Sequence, residues 1–237
     1  MPSAGRHWAE AWEGGGGGAP SQKTCRSPSI SIPSRKGGIV AKRLVLILVV
    51  LLVLPAVATA ATVKVRVEGK TRTLFGPTEI TVDATNALDA LEQASLAGEF
   101  YYHVTTTSFG PYVDQVGRYG AAASSGWVFK VDDKSPPVGA DQVKLADGDH
   151  VLWYYADFGA AGGPPTLGIK AASKKGCYTV HAYDDNGGIA TVGAVQVHIG
   201  SKRVVNTTAD TAVCPGPHPG LLVRATATGA IRSNAVA

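Results

Sequence analysis

Leu44 to Leu54 is an unbroken run of 11 apolar residues, and it divides the chain before any fold is considered. Arg35, Lys36, Lys42 and Arg43 flank it on one side, Pro55 ends it, and Ala58-Thr59-Ala60 supplies a small-x-small pattern. A basic flank, an apolar core and a small-residue site in that order define a secretory signal. The segment Leu44 to Ala60 is 17 residues long, below the ~20 that a spanning helix needs. Residues 35–60 are therefore expected to be a signal-peptide helix cut between Ala60 and Ala61. The alternative is an uncleaved anchor over residues 39–60, the one route by which the chain would meet a membrane. Residues 1–34 carry the run Gly14 to Gly18 and no hydrophobic period, which predicts a disordered extension. Translation starting at Val40 would give a compact leader without it.

Removing the leader changes the charge argument. Residues 1–60 hold seven Lys/Arg and two acids, so the whole-chain charge of +4 leaves about −1 on residues 61–237. The basic balance belongs to the leader, and no basic stripe with interleaved aromatics follows, which argues against a nucleic-acid partner. Cys177 and Cys214 are the cysteines that remain. An even pair in an oxidising compartment predicts a disulfide, with two buried free thiols as the alternative.

The remaining 177 residues suffice for two small cores. Gly159-Ala-Ala-Gly-Gly-Pro-Pro165 marks a linker over 159–166, between a domain at 61–158 and another at 167–237. In the first, Val63, Val65 and Val67 alternate with Lys64 and Arg66, a half-buried strand of period two. Short strands are expected at Thr71 to Leu74, Glu79 to Val82, Phe100 to Thr106, Trp127 to Val131 and His150 to Tyr155, with Trp127, Phe129 and Val131 alternating against Lys130, and Gln142 to Leu145 leads to a tight turn at Asp147-Gly148. A single helix is expected over about Asn86 to Ala97, capped by Thr85 or Asn86 and stopped by Gly98. The fold class is α+β, a mixed sheet with one helix on one face. The second domain shows no helical period. Cys177 to Tyr183, Ala194 to Ile199, Leu221 to Thr226 and a strand containing Ile231, with Asn186-Gly187 as a hairpin turn, predict a small antiparallel sandwich.

Ser125-Gly126-Trp127-Val128-Phe129-Lys130-Val131-Asp132, Val138-Gly139-Ala140-Asp141, Leu145-Ala146-Asp147-Gly148-Asp149 and Trp153-Tyr154-Tyr155 resemble the transcobalamin C-terminal-like domain family. Ala87-Leu88-Asp89-Ala90-Leu91 and Phe109-Gly110-Pro111-Tyr112-Val113 extend the resemblance over about Thr62 to Phe158. It implies a β-grasp-like fold, and in the transcobalamin carriers the corresponding domain covers one face of cobalamin. The second domain resembles the immunoglobulin-like or carboxypeptidase-regulatory-like β modules of secreted proteins, through Gly193 to Val197 and Ala225 to Gly229.

Catalytic motifs are missing from the inventory. No His-Glu-x-x-His or Cys-x-x-Cys spacing occurs, so no metal site is expected. Ala122 stands where a nucleophile elbow before Ser124 needs Gly. His150 beside Asp149 is the obvious candidate base, read more simply as a strand-edge residue after a turn. Asp184-Asp185-Asn186-Gly187 resembles part of a calcium loop, but Gly193 occupies the position six beyond Gly187 where Glu is needed, which favours a turn. Asn206-Thr207-Thr208 is a glycosylation sequon, read here as a polar turn. The aromatics are the better clue. Most should be core, and an exposed set would form an apolar contact patch. Tyr112, Trp127 and Tyr154 are the candidate contact residues. The expectation is a secreted, non-enzymatic binding module without a cofactor, taking a small molecule (a corrinoid among them) or a cell-surface protein. The competing expectation is a structural or adhesive envelope spacer.

Overall fold

A computed structural model describes residues 59–159 and 162–237. The N-terminal extension, the apolar segment and Val40 lie outside them. So do the signal and anchor expectations, save that Ala61 opens the first strand. Among the described residues no helix is long and apolar enough to cross a membrane.

Strand β1 (Ala61–Glu68) forms where the valines alternate, and Val63, Val65 and Val67 are fully buried. It pairs antiparallel with β2 (Thr73–Ala84) and parallel with β7 (His150–Asp157), which pairs antiparallel with β6 (Ser125–Val131). The sheet order is β2-β1-β7-β6. Helix α1 (Ala87–Gly98) lays Ala90, Leu91 and Ala94 on the valine face, together with Trp127, Val151, Trp153 and Tyr155. Each buried valine contributes about 1.5–3 kcal/mol relative to exposure. A second, three-stranded sheet runs β3-β4-β5, from β3 (Tyr102–Thr107), β4 (Gly110–Val116) and β5 (Tyr119–Gly120).

Several local expectations are corrected. The two strands expected at Thr71 to Leu74 and Glu79 to Val82 are one bent strand, β2, with register shifts against β1. Gly76 makes the bend with φ 60°, and a Cβ there would lie 2.2 Å from the Val65 carbonyl oxygen. Asn86 caps α1, its side chain accepting from the Asp89 amide at 2.9 Å. Gly98 is the last helical residue, and Glu99 takes the left-handed cap with φ 49°. The glycine answers a packing need, because its Cβ would fall 2.5 Å from the Phe75 ring. Gln142 to Leu145 makes a single bridge, from Lys144 to Asn86.

The chain continues into β8 (Thr166–Ala171), β9 (Tyr178–Tyr183), β10 (Val195–Ile199), β11 (Lys202–Thr207), β12 (Ala212–Val213), β13 (Val223–Ala227) and β14 (Ala235–Val236). These form two sheets, β11-β10-β13-β14 and β12-β9-β8, around Leu167, Ile169, Val180, Val195, Val197 and Val223. A disulfide joins Cys177 to Cys214, Sγ–Sγ 2.08 Å. Asn186-Gly187 does turn the chain, but into a short hook with a Tyr183–Ile189 bridge rather than a hairpin to β10. Ile231 makes a single bridge to Thr166 and precedes the final strand. Asn206 lies within β11, opposite Gln196, instead of in a turn.

Both halves belong to one compact unit. The face of the four-stranded sheet away from α1 carries Arg66, Glu68, Lys130, Leu152 and Tyr154, and the second half covers it. Period-two reading placed Arg66 and Lys130 toward solvent, yet they are 4% and 0% exposed. Lys130 reaches across, its Nζ donating to the Asp184 carbonyl at 2.6 Å and to Thr166 Oγ1 at 3.2 Å. Glu68 meets the Arg232 guanidinium at 2.8 Å. Leu152, Tyr154 and Ala156 pack with Ile231 in the same interface.

Candidate functional site

The α1-facing side of β6 and β7 ends in an aromatic recess of about 250 Å³. Its walls include Tyr112, Trp127, Phe129, Pro136 and Trp153. Both indoles are fixed from behind. Trp127 Nε1–H donates to the Tyr119 carbonyl at 2.8 Å, and Trp153 Nε1–H donates to the Ala87 carbonyl at 2.9 Å. Phe129 stacks on Trp153 with centroids 5.1 Å apart, while Trp127 meets Tyr155 edge-on at 5.7 Å. Tyr112 is the solvent-facing edge of the recess at 38% exposure, and partial burial raises its hydroxyl pKa. Gly126 makes room for it, since a Cβ there would lie 2.3 Å from the Tyr112 hydroxyl. Beyond the rim Phe109 stands at the β3–β4 turn, almost wholly exposed.

Two of the three expected contact residues thus come together. Tyr112 and Trp127 share the recess, though Trp127 itself is 2% exposed and contributes ring edge to a wall. Tyr154 does not join them. The strand alternation sends it to the opposite face, where it is 1% exposed under the second half, and burial pushes its hydroxyl far up.

His150 lies at a different depression, a cleft of about 550 Å³ between the open end of the sheet and β8. Its expected neighbour Asp149 instead holds the turn, accepting from the Ala146 amide at 2.8 Å. The partner of His150 is Glu79, whose Oε2 lies 2.9 Å from Nδ1. Burial works to raise the Glu79 carboxyl, but the His150 hydrogen bond and the Arg66, His150 and Lys64 charges hold it below the ordinary carboxylate value. The same hydrogen bond raises His150 against its own burial. No sequence signal links these residues, because Glu79 and His150 are brought together by strands 71 positions apart.

The signs set a pH window. The raised His150 contributes its stability below an ordinary value of 6.5 and loses it as pH rises through the folded value. The lowered Glu79 contributes above 4.5 and loses it as pH falls through its folded value. The pair should therefore stabilise most between those limits, by under about 1 kcal/mol because the ring is partly exposed. Urea unfolding of wild type and His150→Gln should differ at pH 5.5 and converge by pH 9. A difference that widened with pH would contradict this assignment.

The acidic hook is a turn in full. Asp184 Oδ1 accepts from the amides of Asn186 and Gly188, both at 2.8 Å. Among the described residues no group of three or more His, Cys, Asp or Glu is arranged to hold a metal ion. Sequence reasoning missed Arg66, Glu68, Glu79 and Arg232 as an interacting set, and the reach of Lys130 to Asp184 and Asp185.

Comparison with known proteins adds a family match. A family model described as Domain of unknown function (DUF4430) matches residues 84–157, from the end of β2 through β7. No curated protein matches the chain. A crystal structure from Ruminococcus gnavus ATCC 29149, described as a putative metal binding protein, is similar at 17% identity. The similarity covers 41% of this chain and 97% of that one, with a TM-score of 0.33, too loose an overlap to assign a fold.

Proposed function

We propose that this chain is a secreted, non-enzymatic binding module whose ligand face is the aromatic recess around Tyr112 and Trp127. The observation that carries this reading is the state of the two indoles. Both N–H groups are already spent on backbone carbonyls, so the buried indoles add little polar competition to a recess whose open ring surface is that of Tyr112 and the half-buried Phe129. Such walls suit the edge or flat face of a large conjugated ligand that remains mostly outside, and a corrinoid has that shape. The resemblance to transcobalamin C-terminal-like domains points the same way, and with it a β-grasp reading of the first half. The second half, read as an immunoglobulin-like sandwich, serves as a buttress on the far sheet face. The Cys177–Cys214 bond supports an oxidising compartment.

The test is a fluorescence titration of the purified chain with cobalamin and cobinamide, with haem as control and inner-filter correction. The expected result is saturable quenching by the corrinoids, weakened about tenfold or more in Tyr112→Ala, as loss of a stacked ring implies. Tyr112 is the residue to vary, because removing the buried Trp127 would damage the core. A flat response removes the small-ligand reading. It would favour a surface partner for the exposed Phe109 turn, or the spacer role.

A further inference from the structure

The cleft at His150 has an unbalanced interior that the aromatic recess does not explain. Its walls come from β1, β2, the β6–β7 connection, β8 and the C-terminal segment. Two charges are satisfied within the wall, since Glu79 pairs with His150 at 2.9 Å and faces Arg66 Nε at 3.8 Å. Arg66 is in turn held by Glu68 at 3.1 Å. Asp132 accepts from the His150 amide at 3.0 Å.

Three charged groups have no ion pair within the wall. Lys64 and Lys170 line the cleft with no carboxylate at ion-pair distance among the described residues. Asp133 lines it too, with no hydrogen bond to its carboxylate from any described residue. Burial raises that carboxyl, and the more distant Lys170, Arg66 and Lys130 only partly offset the effect. A half-buried carboxylate without a donor carries a desolvation cost that a ligand donor would relieve.

The backbone is shaped around the same place. Five non-glycine residues of the described chain have φ in the left-handed region, and three of them line this cleft. They are Glu79, Asp132 and Asp133, at φ 60°, 48° and 66°. Such conformations are disfavoured for residues with a side chain and persist where the surroundings hold them. They place three acidic residues on a cleft that also presents two ammonium groups without an ion pair, that of Lys170 lying against the Tyr183 hydroxyl.

We propose that this cleft binds a small zwitterion of the α-amino-acid class. Its ammonium would sit on the Asp133 carboxylate and its carboxylate between Lys64 and Lys170. A simple anion would meet the lysines but leave Asp133 without a donor, and a simple cation would do the reverse. Only a ligand carrying both charges satisfies all three groups at once. The volume admits an amino acid with room for its side chain.

The experiment is a ¹H–¹⁵N titration of the chain with L-alanine, N-acetyl-L-alanine and L-alanine amide, which carry both charges, the negative one and the positive one. L-Alanine is expected to give saturable shifts at Asp133, Gly168 and Lys170, with the two blocked analogues at least about tenfold weaker, as loss of one charge-assisted hydrogen bond implies. Asp133→Asn and Lys170→Gln should each weaken L-alanine by a similar factor. Asparagine tolerates the left-handed conformation and Lys170 is exposed, so neither change threatens the fold. No saturable shift with L-alanine overturns the proposal, as does equal binding of N-acetyl-L-alanine, or full binding by Asp133→Asn.

Discussion

Glu68→Ala is expected to lower the free energy of unfolding by about 3–5 kcal/mol, the range for breaking a buried ion pair by removing one partner. Glu68 is 1% exposed, and its two oxygens serve three side chains. Oε1 accepts from Arg66 Nη1 at 3.1 Å, Oε2 accepts from Arg232 Nη2 at 2.8 Å, and Thr73 Oγ1 donates to both. Truncation leaves the guanidinium of Arg66 buried and that of Arg232 mostly buried, with no carboxylate between them. Urea unfolding followed by tryptophan fluorescence measures the loss, and Glu68→Gln should fall between the two proteins because it keeps one acceptor. The network also ties the first half to the C-terminal segment. Glu68→Ala should therefore split a single unfolding transition into two, the second half melting from a sheet face it no longer grips. A loss below about 1 kcal/mol, in the range of exposed pairs, would show that water reaches this site.

Removing the disulfide is the second large effect. The Cys177→Ala, Cys214→Ala protein should be destabilised by about 4 kcal/mol, the chain-entropy value for a loop of this size. The two cysteines are 37 residues apart. The damage should be local at first. Strand β12 has only two residues, paired as Ala212 with Thr179 and Val213 with Tyr178, so the neighbouring bond is its principal anchor. Hydrogen exchange should accelerate at β12 and β9 before β1 or β7, and reduction of the wild-type protein should reproduce the pattern. Unchanged melting after reduction would mean that packing alone closes this edge of the sandwich.

The two changes differ in what a sequence reader could foresee. Cys177 and Cys214 could be paired by count and compartment, and the bond is present. Val63, Val65 and Val67, the Asn86 cap and the face shared by Trp153 and Tyr155 were equally legible, because periodicity and capping are local. Tyr154 shows the limit. Alternation along the strand sets it opposite Trp153, but does not say that a second sheet covers that side. For the same reason Arg66 and Lys130 read as solvent-facing, although each lies beneath residues more than thirty positions away. The aromatic recess was half legible: Tyr112 and Trp127 belong to it, while the packed indoles behind it are a product of the tertiary fold. The polar cleft was not legible at all, since its walls come from both halves.

The parallel pairing of β1 with β7 has a kinetic side. The Thr62 amide donates to Asp147 Oδ1, 85 positions later, and Glu68 meets Arg232 after 164. Closing such long loops costs entropy before any contact rewards it, so the pairing raises contact order and slows folding. A chain emerging from its N-terminus would present β1 with only β2 to bind, leaving an apolar valine edge open until β7 arrives. The segment carrying Arg232 then closes over Glu68. Burial of Glu68 thus waits until Arg232 has been made, and a nascent chain keeps that sheet face open until then.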